Sequence, residues 1–583
     1  MTADGAPPPA GVLDAMERAL AHRGPDGKGR RIRGGVALLQ TRLAIIDLAT
    51  GRQPIEGPNG AALVANGEIY NYVELFDELA GTPFRTKSDC EPPLHLYLKD
   101  GPEFAYRLRG MYAIAIDDPA TGRLVLARDP FGIKPLYYAE TPGGFHFASE
   151  PRALLAAGVV RPVVREAARG ELLNLQFTTG RETIFRGISR VLPGETLVVE
   201  RGRIAARHRR PALPASGPVD ARAETALATL DRLLNDAVGV HQRSDVPYAM
   251  FLSGGVDSSV LLAMMARLNA TPVVAFTAGF DGTGARDERD HARAVAAAVG
   301  ATHIEVPFGA EDFWTLLPRI AEAMDDPAAD YAVLPTFKLA AAARERGLKV
   351  VLSGEGGDEI FAGYGRYRRA LRPRLLGGRP LRHKGALQGL GILAAEADWR
   401  AGIAEAEAAE AKADRTTLQI AQAVDCADWL PNDLLTKLDR CLMAHGVEGR
   451  VPFLDPLLSE FGFRLPNALK LKKGQGKWLL RRWLETGLKA ARPFDKKRGF
   501  TVPVGEWIAT RGRELGTLVA RQPGVAEACR PGAVERLFVA VADKGGGGHA
   551  AAAWHLLFYA LWHHRHVLGH MPGADAFETL AAE

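Results

Sequence analysis

Apolar positions from residue 34 to about residue 211 come in short runs broken by turn residues. Residues 36–39, 43–46, 61–65, 112–116, 124–127 and 145–147 read as strands, because apolar and β-branched residues cluster there between Gly, Pro and Asp punctuation. Residues 13–21 and 72–79 carry helical spacing instead. The pattern predicts a layered α+β domain with mostly antiparallel sheets. Beyond the Pro-rich stretch Pro211-Ala212-Leu213-Pro214-Ala215-Ser216-Gly217-Pro218 the period changes. An amphipathic helix is predicted at 223–240, then strands at 246–250, 272–276, 303–306 and 349–352 alternating with helices at 260–265, 288–299, 314–324 and 334–344. Such alternation implies a parallel sheet covered on both faces, with its ligand site beyond the strand C-termini. The expected domains are 1–211 and 223–583, joined by a linker at 212–222.

Composition narrows the picture without redirecting it. The 583 residues hold 73 Lys and Arg against 68 Asp and Glu, a net charge of +5, which gives no reason to expect nucleic acid or a membrane as partner. The four cysteines, Cys90, Cys426, Cys441 and Cys529, follow no spacing pattern. They point to a reducing compartment and a cytoplasmic protein. His563, His564 and His566 end an aromatic helix at 554–562, where capping of the helix end is favoured over metal binding.

The stretch with the most chemistry is Phe251-Leu252-Ser253-Gly254-Gly255-Val256-Asp257-Ser258-Ser259, set between a predicted strand and a predicted helix. Glycines let backbone N–H groups approach an anion, and the helix N-terminus adds donors and partial positive charge. Ser253, Ser258 and Ser259 can add hydroxyls. The Gly-Lys-Ser/Thr ending of a Walker A loop is missing. The stretch resembles the pyrophosphate loop of the ATP pyrophosphatases, which split ATP into AMP and pyrophosphate. A second strand end leads into Ser353-Gly354-Glu355-Gly356-Gly357-Asp358-Glu359. Acidic residues beside a phosphate make sense with Mg²⁺, which Asp257 and Asp358 can ligate. Glu355 is then a base or charge partner near the reacting carbonyl. The basic segments Lys470 to Arg481 and Lys496 to Arg498 are expected to neutralise charge on the α-phosphate and pyrophosphate.

The front half carries its own polar set. Arg42 is a fork suited to a carboxylate. Asn66 and the Gly67 N–H suit an oxyanion hole, and Glu68 and Asp89 suit an ammonium. Together they would recognise a free α-amino acid. With the flanking His22-Arg23-Gly24-Pro25-Asp26-Gly27 and Arg128-Asp129-Pro130-Phe131-Gly132, they resemble the class II (N-terminal-nucleophile, Ntn) glutamine amidotransferases, in which the equivalents of Arg42, Asn66, Gly67, Glu68 and Asp89 hold glutamine. That family uses a cysteine placed directly after Met1, and here position 2 is Thr2. Either the natural start lies further upstream or the nucleophile is lost; the intact glutamine set favours the first. As written, the chain is expected to use free ammonia rather than hydrolyse glutamine, with Thr2 and Cys90 both poor substitutes.

Ser-Gly-Glu-Gly-Gly-Asp-Glu, Val451-Pro452-Phe453-Leu454-Asp455 and Lys477-Trp478-Leu479-Leu480-Arg481 resemble the synthetase half of the asparagine synthetase B family over most of 220–565. The resemblance implies an Ntn sandwich followed by an α/β ATP pyrophosphatase domain with a helical C-terminal part. It implies ATP and Mg²⁺, and Phe251, Leu252, Ala278, Ser353 and Gly354 as an adenylate pocket. It implies that Glu355 and Lys477 assist formation of β-aspartyl-AMP. The implied reaction is amidation of aspartate to asparagine, with nitrogen from glutamine or ammonia; a homodimer is compatible with it. The alternatives are a relative that amidates or cyclises another carboxylate and, less well supported, tRNA modification or sulfur transfer. The stretch Asp325-Asp326-Pro327-Ala328-Ala329-Asp330 lacks an arginine that some asparagine synthetases carry near this point, so the acceptor pocket is where the alternatives separate.

Overall fold

The computed structural model describes every residue except 282–287, 373, 374, 376, 496–501, 546–548 and 583. In the front half an antiparallel sheet runs in the order Arg203–Arg209, Glu195–Glu200, Arg123–Arg128, Gly110–Asp118, Ala62–Ile69, Ile55–Glu56. Its central strands are apolar on both faces. Ala62 and Val64 enter one core while Leu63 and Ala65 enter the other, and Ala113 and Ala115 part from Ile114 and Ile116 in the same way. A two-residue period with apolar residues on both sides requires cover on both sides. Helix Pro92–Asp100 covers one face through Leu94, Leu96 and Tyr97. Strands Val36–Arg42, Tyr137–Thr141 and Gly144–Ala148 cover the other through Leu38, Tyr138 and Phe145. The result is the α+β sandwich the periodicity predicts.

One predicted strand, 43–46, is absent. The chain leaves the strand at Arg42, whose guanidinium reaches forward to the carbonyls of Ile46 at 3.3 Å and Asp47 at 2.7 Å, while Asp26 takes the Ala44 N–H at 2.8 Å. Those side-chain bonds satisfy the backbone locally and fold the segment back on itself, which a ladder would not allow.

In the back half, five described strands lie parallel in the order Thr302–Phe308, Val274–Phe280, Tyr248–Phe251, Val350–Leu352, Glu448–Arg450. Successive connections run one way from Tyr248–Phe251 and then reverse, so the crevice lies between Tyr248–Phe251 and Val350–Leu352. That is the switch point at which open parallel sheets hold ligands. The C-terminal part is helical. Its helix Ala550–His566 is buried along most of its length, and its Trp554 donates to the Ala329 carbonyl at 2.6 Å. At its end His566 pairs with the Ala321 carbonyl at 3.1 Å, and no group of three metal-capable side chains occurs among the described residues. None of the described helices is long and apolar enough to cross a membrane.

Buried charge pairs join the halves. Arg23 donates across the boundary to Asp439 at 2.8 Å and Arg190 to Asp326 at 2.7 Å, while Arg23 also holds Glu150 of its own half at 2.7 Å and Arg440 holds Asp325 of its own half at 2.7 Å. Asp455 of the Val-Pro-Phe-Leu-Asp motif takes a bond from Arg109 at 2.7 Å and caps helix Pro456–Arg464 through the N–H groups of Leu457 and Leu458. Breaking one partner of such a pair strands a buried charge, so these contacts hold the relative placement of the two halves firmly.

Candidate active sites

The crevice of the parallel sheet opens into a cavity of about 610 Å³. Phe251, Leu252, Ser253, Gly254, Gly255, Asp257 and Ser258 line it from the first strand end, Ala278 from the second, and Ser353, Gly354, Glu355 and Asp358 from the third. Helix Val256–Leu268 starts at the loop, and Gly254 holds φ +70°, where a side chain would be strained. Ser258 shares hydrogen bonds with Ser253 and the Gly255 carbonyl. Ser259 is a correction. It is wholly buried and does not line the cavity, because a helix turns about 100° per residue and only one of two adjacent serines can face the loop.

Lys477 comes from far along the chain to the centre of the cavity. It begins helix Trp478–Gly487 with φ +57°, and its ammonium pairs with Asp257 and, at 2.7 Å, with Asp358. Burial works against its charge, but the two carboxylates outweigh burial and hold its pKa above the ordinary lysine value. Of the basic segment around it, only Lys477 and Arg481 reach the cavity. Lys470 is fully buried elsewhere and donates to Gln422 at 2.9 Å, and burial lowers its pKa to about 7. Lys472 and Lys473 are exposed. The expectation that the whole segment neutralises phosphate is therefore corrected to two residues. Lys496 to Arg498 lie outside the described residues.

Lys437 is a cavity residue that no motif singles out. Helix Leu435–Met443 carries it to 3.2 Å from Asp330 and 3.3 Å from Glu355. Burial opposes its charge and Asp330, Glu355 and Asp433 more than offset it, so its pKa is raised. The acidic stretch with no arginine thus receives its cation from 107 residues away.

The donor chemistry fits Mg²⁺. Asp257 and Asp358 bring hard carboxylate oxygens from adjoining strand ends to one point, now shared with an ammonium.

A second cavity, about 650 Å³, lies in the front half, and Arg42, Asn66, Gly67, Glu68 and Asp89 all line it. Cys90 does too, as do Met1 and Thr2. The Met1 ammonium donates to the Phe145 carbonyl at 2.8 Å, and the Thr2 hydroxyl to the Ala6 carbonyl at 2.7 Å. Arg42 spends part of its fork on backbone carbonyls. Asp89 accepts the Ile69 N–H at 2.8 Å. Burial, with Glu448 adding to it, pushes Asp89 up to about 6. Burial also raises Glu68, against the pull of Arg450 and with Asp89 adding to the rise. Burial drives the Cys90 thiol well above its ordinary range, which makes it a poor nucleophile.

A cavity lined by Arg42, Asn66, Glu68 and Asp89 in the front half and a crevice at a glycine- and serine-rich strand end in the back half are the arrangement of an amidotransferase joined to an ATP-using synthetase half. A profile of the glutamine amidotransferase domain matches residues 2–209, and one described as asparagine synthase matches 229–564. The chain belongs to the asparagine synthase family. A Mycobacterium tuberculosis protein provisionally named asparagine synthetase (glutamine-hydrolysing) is 35% identical over 96% of this chain and 94% of its own length. Asparagine synthetase (glutamine-hydrolysing) 1 of Bacillus subtilis is 31% identical over 95% and 93%, and asparagine synthetase B of Escherichia coli 29% identical over 85% and 80%.

Proposed function

We propose that this chain is an asparagine synthetase: it activates the β-carboxylate of aspartate with ATP and forms the amide with ammonia, with glutamine bound in the front cavity and free ammonia as the nitrogen source of the chain as it stands, in which Thr2 and Cys90 are poor nucleophiles. The observation that carries the reading is the pairing, in one chain, of the amino-acid cavity with a crevice where Asp257, Asp358 and Lys477 converge on the pyrophosphate loop. A carboxylate is a poor electrophile, so it must first attack the α-phosphorus of ATP and expel pyrophosphate; ammonia then displaces AMP from the acyl carbon. The loop at 253–258 binds the departing phosphates through N–H and hydroxyl donors. Mg²⁺ held by Asp257 and Asp358 would screen the phosphate charge. Lys477, one step away, supplies a positive charge as negative charge develops on the leaving group. Lys437 orients Glu355 toward the acceptor, and Phe251, Leu252, Ala278, Ser353 and Gly354 hold the adenylate. Arg42 takes the carboxylate of glutamine and Asn66 with the Gly67 N–H its amide oxygen.

Pyrophosphate release, followed with ammonium as nitrogen donor across a panel of acids, tests the reading. Aspartate should support release and yield asparagine. Release with another acid and none with aspartate would move the chain to the alternative, a relative that amidates or cyclises a different carboxylate.

Asp89 gives the front cavity a pH signature. Its carboxyl is pushed up to about 6, so the free site must lose a proton before it can pair with an ammonium. Glutamine affinity, by calorimetry, should be flat above about pH 7 and weaken by about tenfold per unit well below pH 6. A dissociation constant unchanged from pH 8 to pH 5 would rule out Asp89 as the ammonium partner.

A further inference from the structure

The glutamine-binding set comes from the front half, but the back half closes its cavity with Met443 and Glu448. Glu448 and Arg450 are the two ends of the edge strand of the parallel sheet. The fully buried Arg450 places Nη2 3.2 Å from Glu68 Oε2, and neither atom has a hydrogen-bond partner by strict geometry. Its Nε donates to Glu448 Oε1 at 3.0 Å, and its Nη1 donates to the carbonyls of His241 at 2.9 Å and Arg243 at 2.7 Å. Lys134 lies 3.4 Å from the other Glu448 oxygen. The Arg450 carbonyl accepts the Ser353 N–H at 2.8 Å, which ties the strand to its sheet neighbour.

The charges of this cluster do not balance. Glu68, Asp89 and Glu448 face Arg450 and Lys134, and all five are at most 5% exposed. Three carboxylates meet two cations. Arg23, which also lines the cavity, forms a bonded set with Asp439, Glu150 and Arg440. Burial of a carboxylate without a counter-charge is costly. The missing positive charge belongs on the open side, where Glu68, Asp89 and Glu448 all line the cavity.

We infer that the synthetase half completes the glutamine site, with Glu448 joining Glu68 and Asp89 to receive the α-ammonium of glutamine and Arg450 acting as a positioning residue that holds Glu68. The raised pKa values of Glu68 and Asp89, for which burial is the main cause, agree with a cluster one cation short. The inference rests on the reading of the front cavity as a glutamine site.

Calorimetry on the full chain tests it with two ligands: glutamine, and 4-carbamoylbutanoate, which keeps the amide and carboxylate but lacks the ammonium. Glu448→Gln keeps the side-chain shape and removes its charge. The variant should weaken glutamine by at least about tenfold and leave the analogue's affinity nearly unchanged, so that the preference for glutamine collapses. Unchanged glutamine affinity would overturn the inference, and so would an equal loss for both ligands, which would mark Glu448 as structural. If Glu448→Gln fails to fold, Glu448→Asp, which retracts the same carboxylate, should lower the preference in the same direction; an unchanged preference there is equally fatal. Failure of the wild-type chain to bind glutamine at all would sink the glutamine-site reading itself, a distinct result.

Discussion

Replacing Asp257 by alanine should lower ATP-dependent pyrophosphate release by about three orders of magnitude, a rise of about 4 kcal/mol in the barrier. Asp257 has two roles in the crevice. It is one of two carboxylates that can hold Mg²⁺ against the phosphates, and it pairs with the Lys477 ammonium, which is buried at the start of its helix. Its loss leaves that ammonium with Asp358 alone at 2.7 Å. Asp257→Asn separates the roles, because it keeps the shape and a hydrogen-bond acceptor but not the charge. It should be nearly as damaged as alanine if charge is what matters. Glutamine binding in the front cavity, measured on the same samples, reports that the chain is folded. Pyrophosphate release by Asp257→Ala at even a tenth of the wild-type rate would refute the role given to this residue.

Gly363→Ala should cost at least about a hundredfold in synthesis, since displacing reacting groups by about 1 Å is enough for that. A Cβ at Gly363 would stand 1.8 Å from Asp358 Oδ1 and 2.2 Å from Lys477 Cε. Both clashes are with movable side-chain atoms, so the backbone can stay while the two charged groups are pushed out of register. The thermal midpoint should therefore shift by only a few degrees, on the order of 1 kcal/mol for a chain of this size. The expected signature is a large fall in kcat with near-normal unfolding. Wild-type turnover in this variant would mean that the Asp358–Lys477 geometry is not needed for the chemistry.

The loss at Asp257 follows from the loop motif itself, which already makes that carboxylate a candidate Mg²⁺ ligand, whereas the Gly363 prediction was not open to the sequence alone. Gly363 reads as a turn glycine in Phe-Ala-Gly-Tyr, and nothing in its neighbours says that its missing side chain makes room for a lysine 114 residues later. Lys437 is harder still. It sits inside a buried helix among Leu434, Leu435 and Leu438, where a lone lysine carries no linear signal. Ser259 erred in the other direction, since its motif made it a donor while helical geometry turned it into the core.

Local order followed from the chain directly. Short apolar runs between turn residues produced the front sandwich, and apolar strands between helices produced the parallel sheet, because run length and turn position decide which side chains can be buried together. Glycine and serine at 253–258 determined the tight turn between strand and helix for the same reason, through backbone freedom over a few residues. What only the tertiary structure decided is which charges meet: Lys477 with Asp257 and Asp358, Lys437 with Asp330 and Glu355, Arg450 with Glu68. Buried ion pairs between residues more than eighty positions apart depend on how whole layers dock, and no local period encodes that.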